Sequence, residues 1–325
     1  METPNFMLRR DFLRMTGAFA TAGFTAFGKA TLGAKDRVDR ALNGQDVDRS
    51  PFSLWHHFGL KTPEEHAKRT LEFHAKCRTD IVKVMSDFPY PKPTGKWYEL
   101  KVEQNPFPQQ IRALELIRDG LNGKAYFIET IFNPWNVAQK LSSKEEVLRL
   151  KDDNPGALLH ALDIITESEI NHAKQAFQAG ASGVLFSVAN ANQKELSVAD
   201  YVKFSRPFDK RLMDGIADAK MNILHLHVEA AYLDQFHDFS FPIINYSQVV
   251  SGIPIARVRE QYRSSVIAAG IDEVNYKTLT IEQIREQWQT ASKAAGPKFI
   301  LTPGCSVPND CTPEDLARLP RAIGA

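Results

Sequence analysis

Cysteine is scarce in this chain: Cys77, Cys305 and Cys311 are the three it has in 325 residues. That excludes a disulfide framework, and an odd count leaves one thiol unpaired whatever the compartment. Net charge is nearly absent as well. The chain carries +1 at neutral pH, which removes the electrostatic footprint of a nucleic-acid binder or of a protein drawn to anionic membranes. No apolar run reaches the roughly 20 residues needed to cross a bilayer. The sequence also lacks a Walker A loop, a G-x-G-x-x-G turn after a strand and a G-x-S-x-G elbow, so P-loop, dinucleotide and serine-hydrolase chemistries are set aside. Internal repeats, heptads and low-complexity blocks are missing too. What remains is ample apolar content, 43% of the chain, enough for a sizeable core.

The N-terminus reads as a targeting segment. Leu8-Arg9-Arg10-Asp11-Phe12-Leu13-Arg14 resembles the twin-arginine export motif, and Met15 to Gly28 behind it is uncharged and rich in Ala, Gly, Thr and Phe. Cleavage is expected after Gly28 or Ala34, which divides the chain into a signal over 1–34 and a folded domain over 35–325. The expected partners are therefore the twin-arginine translocation machinery and a small-molecule substrate, with no nucleic acid, and the expected location is the periplasm.

Beyond the signal, short apolar runs alternate with helical patterns. Strands are predicted over Pro51–Trp55, Asp80–Met85, Tyr126–Phe132, Gly183–Val188, Asn222–His227, Pro242–Tyr246, Ser265–Ala269 and Lys298–Leu301. Helices are predicted over Thr62–Arg78, Pro155–Ala179, Val198–Ala219, Ile255–Ser264, Ile281–Ala295 and Pro313–Ile323. Such interleaving implies a parallel sheet, and the strand count implies a single (β/α)8 TIM barrel. Between Asp87 and Ile111 lies a stretch rich in proline and aromatics, from Pro89 and Tyr90 to Pro106 and Phe107. Long irregular stretches of this kind often form lids over a site.

In a barrel the chemistry sits at the C-terminal strand ends. There the fifth predicted strand closes on His225-Leu226-His227, with Glu229 beyond. Side chains two apart on a strand share a face, so His225 and His227 have metal-ligand spacing, suited to zinc and its neighbours; two hydrogen-bonded rim histidines are the plainer alternative. The other polar residues at strand ends are His56, His57, Asp87, Asn133, Asn190, Asn245, Tyr246 and Cys305. Asp87, Glu229 and His56 are the candidates for acid/base work; His57, Asn133, Asn190, Asn245 and Tyr246 are candidates for holding substrate. Cys305 and Cys311, six apart, could instead close a small disulfide, which would deny a metal its thiolate.

Three stretches carry a resemblance. Arg49-Ser50-Pro51-Phe52-Ser53-Leu54-Trp55-His56-His57-Phe58-Gly59, Asp80 to Asp87, and Pro303-Gly304-Cys305-Ser306-Val307-Pro308 with Thr312-Pro313-Glu314-Asp315-Leu316 are similar in order and spacing to the uroporphyrinogen decarboxylase superfamily. The resemblance implies the barrel fold and two possible chemistries, metal-free decarboxylation and zinc-dependent methyl transfer. The arginines that hold the decarboxylases' substrate correspond here to His56 and Leu60, which argues against that substrate. The methyltransferase branch binds zinc with His-x-Cys and a Pro-Gly-Cys turn, so the resemblance implies zinc on His225, His227 and Cys305, with one thiolate replaced by imidazole. A zinc-dependent, methyltransferase-like enzyme is the expected function. A metal-free decarboxylase or lyase and a non-catalytic binding barrel are the alternatives, and a corrinoid cofactor is less expected than zinc.

Overall fold

The computed structural model describes residues 31–227, 229 and 231–325. The export signal expected over 1–34 therefore lies outside the described residues up to position 30. The apolar runs form seven parallel strands, β1 Ile81–Lys83, β2 Tyr126–Phe132, β3 Val184–Val188, β4 Ile223–Leu226, β5 Ile243–Tyr246, β6 Val266–Ile271 and β7 Phe299–Pro303, hydrogen-bonded in chain order. Parallel neighbours need crossovers, and helices supply them.

The result is an α/β fold with a curled parallel sheet of TIM-barrel type. The sheet's two edges meet across the extended segment 51–54: Leu301 N donates to Pro51 O (2.8 Å), Ser53 N to Leu301 O (3.1 Å) and Asp80 N to Phe52 O (2.9 Å). The strand predicted over Pro51–Trp55 is reduced to a single bridge, Phe52 to Leu301. Pro51 has no N–H to give a ladder, and Phe52 N donates to the Asp80 carboxylate (3.0 Å) rather than to a neighbouring strand.

The predicted helices are present as Pro63–Cys77, Pro155–Gln178, Ile255–Gln261 and Ile281–Ala295, while two of them split. Val198–Ala219 becomes Val198–Phe204 and Arg206–Gly215, because Pro207 cannot donate to the preceding turn. Pro313–Ile323 becomes Pro313–Leu316 and Arg318–Ile323. The proline-rich stretch packs beside the outer helix Pro155–Gln178. Tyr90 packs edge-on against Phe107 with ring centres 4.5 Å apart, Tyr90 Oη donates to Glu169 Oε1 (3.4 Å), and Glu103 N donates to Ser168 Oγ (3.0 Å). These contacts clamp it to the outer helix Pro155–Gln178. Among the described residues no helix is long and apolar enough to cross a membrane.

Strand alternation sorts the core into two faces. Ile81, Met85, Tyr126, Ile128, Leu185, Ile223, Ile243, Val266, Ala268 and Ile300 form one apolar cluster inside the curl. The intervening residues, such as Ile131, Phe186, Leu224, Tyr246 and Leu301, pack outward with the helices.

The seam at segment 51–54 is held by charge. Asp80, 1% exposed at its side chain, accepts from Arg37 Nη1 (2.5 Å) and Arg49 Nη1 (2.6 Å), and Arg37 Nε also donates to Asp48 (2.7 Å). The Arg37 hydrogen bond, against the cost of burial, holds Asp48 far below the ordinary carboxylate range. Its contribution to stability is therefore complete above the ordinary carboxylate pKa and fades as pH falls toward the lowered one. Arg37→Met leaves Asp80 buried with one cation instead of two. Urea unfolding at neutral pH should show a loss of about 3 kcal/mol, the lower end for removing one member of a buried pair, and that loss should shrink as pH falls below the ordinary carboxylate range.

Candidate metal centre

His225 lies within β4, and the parallel register sets Ser187, His225, Asn245 and Ala268 side by side across β3 to β6. Ile223, His225 and His227 share one face, so the Ile223 that fills the interior also fixes where both imidazoles point. Asn245 then determines the His225 tautomer. Its Nδ2 is committed to Ala268 O (2.8 Å), Thr302 Oγ1 (3.0 Å) and Pro303 O (3.1 Å). That leaves Oδ1, which can only accept, against His225 Nδ1. The ring proton sits on Nδ1, and Nε2 keeps a free lone pair for a metal.

Cys305 arrives from the far end of the chain, two residues beyond β7. Gly304 is required at this turn, since a Cβ there would lie 2.3 Å from Ser247 Cα. Gly304 N donates to the buried Glu273 carboxylate (3.0 Å), and Val307 N donates to Trp55 O (2.9 Å), which holds the turn on both sides. All three cysteines are free thiols, so the alternative Cys305–Cys311 bridge does not form. Cys311 is buried while Cys305 is half-exposed at the mouth.

His225, His227 and Cys305 each bring a donor atom to within 4.8 Å of the others. His225 Nε2 and His227 Nδ1 are 3.3 Å apart, which matches the spacing of about 3.3 Å for two nitrogens on one tetrahedral zinc. Burial opposes charge on Cys305, but the imidazoles of His225 and His227 beside it outweigh that cost and hold the thiol down at about 4. The same contacts raise His227, whereas burial keeps His225 low. Two nitrogens and one thiolate form a borderline-soft donor set with a fourth position open, which fits zinc.

The three donors line a mouth pocket of about 580 Å³ with Trp55, His57, Lys83, Ser86, Thr130 and Lys140. His57 donates from Nδ1 to Asp87 Oδ1 (2.6 Å), and Phe58 N and Gly59 N also donate to Asp87 (3.2 Å each). Burial pushes Asp87 up, but these donors hold it below the ordinary range.

The other candidates do not meet at this pocket. His56 faces away, bonded to Asn309 O (3.2 Å) and packed with Phe58 and Phe73. Glu229 is exposed and paired with Lys194. Asn133 caps helix Pro134–Leu141 and donates to Asn190 (2.8 Å) and Asp209 (3.0 Å) on the outer face. Tyr246 is buried in the outer core. Lys83, Thr130 and Ser187 are the interior residues that the sequence reading passed over, although each sits at the inward parity of its own predicted strand.

An α/β fold with a parallel sheet and a His-His-Cys group at the strand ends defines a class of barrel-type protein with a metal-competent mouth. Residues 91–325 match the family described as Uroporphyrinogen decarboxylase (URO-D), and the chain belongs to that family. Among solved structures it is similar to a methyltransferase from Methanosarcina mazei, with 17% identity and TM-score 0.72, covering 90% of this chain and 98% of that one. It is also similar to a B12-independent methionine synthase from Shewanella sp. W3-18-1, with 13% identity and TM-score 0.60, covering 84% of this chain and 92% of that one. At these identities the likeness is one of fold. No curated protein matches the chain.

Thiol reactivity tests the group directly. In metal-free protein, iodoacetamide at about pH 6 should label Cys305 far faster than Cys77 and Cys311, both of which burial pushes up to about 11. Labelling should fall away only as pH drops toward the Cys305 value, and added zinc should block it. Equal labelling of all three cysteines would mean that the imidazoles do not hold a thiolate.

Proposed function

We propose that this chain is a zinc-dependent, methyltransferase-like enzyme acting on a small molecule, exported through the twin-arginine pathway to the periplasm. The observation that carries the reading is the meeting of His225, His227 and Cys305 donors within 4.8 Å, eighty positions apart in sequence. The methyltransferase named among the similar folds supports it, and the Arg9-Arg10 motif supports export. Outside the cytoplasm, the methyl donor is a methoxylated compound or a sulfonium rather than a corrinoid carrier.

In this reading His225, His227 and Cys305 hold the metal, and Asn245 keeps His225 in the ligating tautomer. A zinc ion there would lower the pKa of a thiol or water at the fourth position and act as a Lewis acid. A single thiolate donates less charge than two, which leaves the ion more Lewis-acidic. His57, fixed through Nδ1 by Asp87, presents Nε2 for proton exchange at the pocket wall. The same His57–Asp87 pair favours a second reading, a metal-free lyase in which that pair is the acid/base.

Protein purified without a histidine tag should carry about one zinc per chain. Asn245→Leu should retain the fold but lower zinc affinity by roughly 10- to 100-fold, the usual effect of losing the partner that orients a ligand. Zinc, iron and copper all far below one per chain would overturn the proposal. The lyase reading would then be tested by loss of turnover in Asp87→Asn with retention in Cys305→Ser.

A further inference from the structure

The mouth pocket is lined by two lysines, Lys83 and Lys140, and by no aspartate or glutamate. Neither ammonium forms a salt bridge among the described residues. Lys83 Nζ donates only to the thioether of Met85 (3.0 Å) and lies 5.5 Å from the Trp55 ring centre. Lys140 Nζ lies 4.0 Å from the Phe132 ring centre and 5.8 Å from that of Tyr90. Sulfur and aromatic faces are soft partners that leave an ammonium's hydrogen bonds largely unmet.

Among the described residues no carboxylate pairs directly with Lys83 or Lys140. Asp87 accepts from His57, Phe58 and Gly59, and Glu273 accepts from Gly304 N. Glu129 faces outward, bonded to Gln110 Nε2 (2.9 Å) and His172 Nε2 (3.2 Å). Lys83 feels Cys305, Asp87 and Glu129 at a distance but pairs directly with none of them, and a partly buried cation without a direct ion pair gains when an anion arrives.

We propose that the pocket takes a small substrate bearing a carboxylate, with Lys83 as the group that pairs with that charge and Lys140, on the helix that follows the neighbouring strand β2, supporting it. The proposal rests on the metal-site reading for what the substrate's other end does, but the anion site stands on the two lysines alone. The Trp55 indole lies edge-on to His225, ring centres 6.0 Å apart, and under Lys83. It therefore sets a short, fixed span between the charged head and the metal-facing end. A lysine is a compact point charge rather than a planar fork, which suits one carboxylate and not an array of them. The position also differs from His56 and Leu60, where the family resemblance places the decarboxylases' arginines.

The test compares 3-mercaptopropionate, 3-mercapto-1-propanol and cysteamine, thiols with anionic, neutral and cationic heads, on cobalt(II)-loaded protein. Thiolate binding is read from the cobalt absorption bands. The anionic thiol should bind at least about 10-fold more tightly than the neutral one and cysteamine most weakly, the scale of one charge-assisted hydrogen bond. Lys83→Met, which keeps the apolar stem, should remove that preference without loss of cobalt; Lys83→Gln serves should the first variant fail to fold. Equal affinities in the wild type, or a preference that survives both variants, would overturn the proposal. Failure to retain cobalt would defeat the metal reading instead. In that case ligand-observed NMR with propionate against propionamide on metal-free protein decides the anion site, with loss of any difference counting against it.

Discussion

The arrangement of the mouth depends on one side-chain amide. Asn245 has three acceptors for its two N–H bonds, so its nitrogen cannot turn toward β4, and its oxygen alone faces His225. Parallel pairing of β4 with β5 places the two residues directly opposite each other. A one-residue slip of either strand would turn its own side chain out to the helices and separate the pair. The apolar interior therefore secures the chemistry indirectly, because Ile223 and Ile243, two positions earlier on the same strands, fix the register on which the ligating nitrogen depends.

Burial of polar groups is common in this protein and does not by itself mark a site. Asn133, Asn190, Ser205, Tyr201 and Asp209 form one closed network outside the sheet. Burial pushes Asp209 up to about 7 there. Glu129, Gln110 and His172 form another, beside Glu169, which burial also raises to about 7. These carboxylates have pKa values typical of catalytic acids. Their partners nevertheless join the outer face of the sheet to the helices packed on it, so their role is to fix that packing. The distinction lies in direction: at the mouth, donor atoms converge on open space, and in the outer networks they converge on one another.

The strands were legible because each is a compact apolar run bounded by turn residues, and observed bounds fall within two residues of those expected. Which strand-end residues face inward was legible in principle and was missed. Parity alone separates His57 from His56 and Asn245 from Tyr246, and it turns Asn133 and Asn190 outward. The same rule reaches Lys83, two before Met85, and Thr130, two after Ile128. Helix Lys144–Asp153 was announced by Ser143 and Glu146 at capping-box spacing, and Pro108–Leu121 by proline at its first turn. The fate of the proline-rich stretch was not legible. Proline excludes regular structure but does not say what the stretch packs against, and Tyr90 and Glu103 found partners some 65 to 79 positions later.

The meeting of Cys305 with His225 could be read only by resemblance, because closure of the sheet across segment 51–54 produces it and no local pattern encodes that closure. It also fixes the charge of the mouth. A divalent ion held by two neutral imidazoles and one thiolate retains one positive charge, whereas a second thiolate would cancel it. The ammonium of Lys83 adds another in the same pocket, and burial weakens its hold on the proton, lowering it to about 8 against the opposing pull of Cys305, Asp87 and Glu129. No carboxylate lines the pocket to balance these charges, so a metal-loaded site would be stabilised by an anion. His227, where the resemblance implies a cysteine, and a lysine on β1 would then act in the same direction.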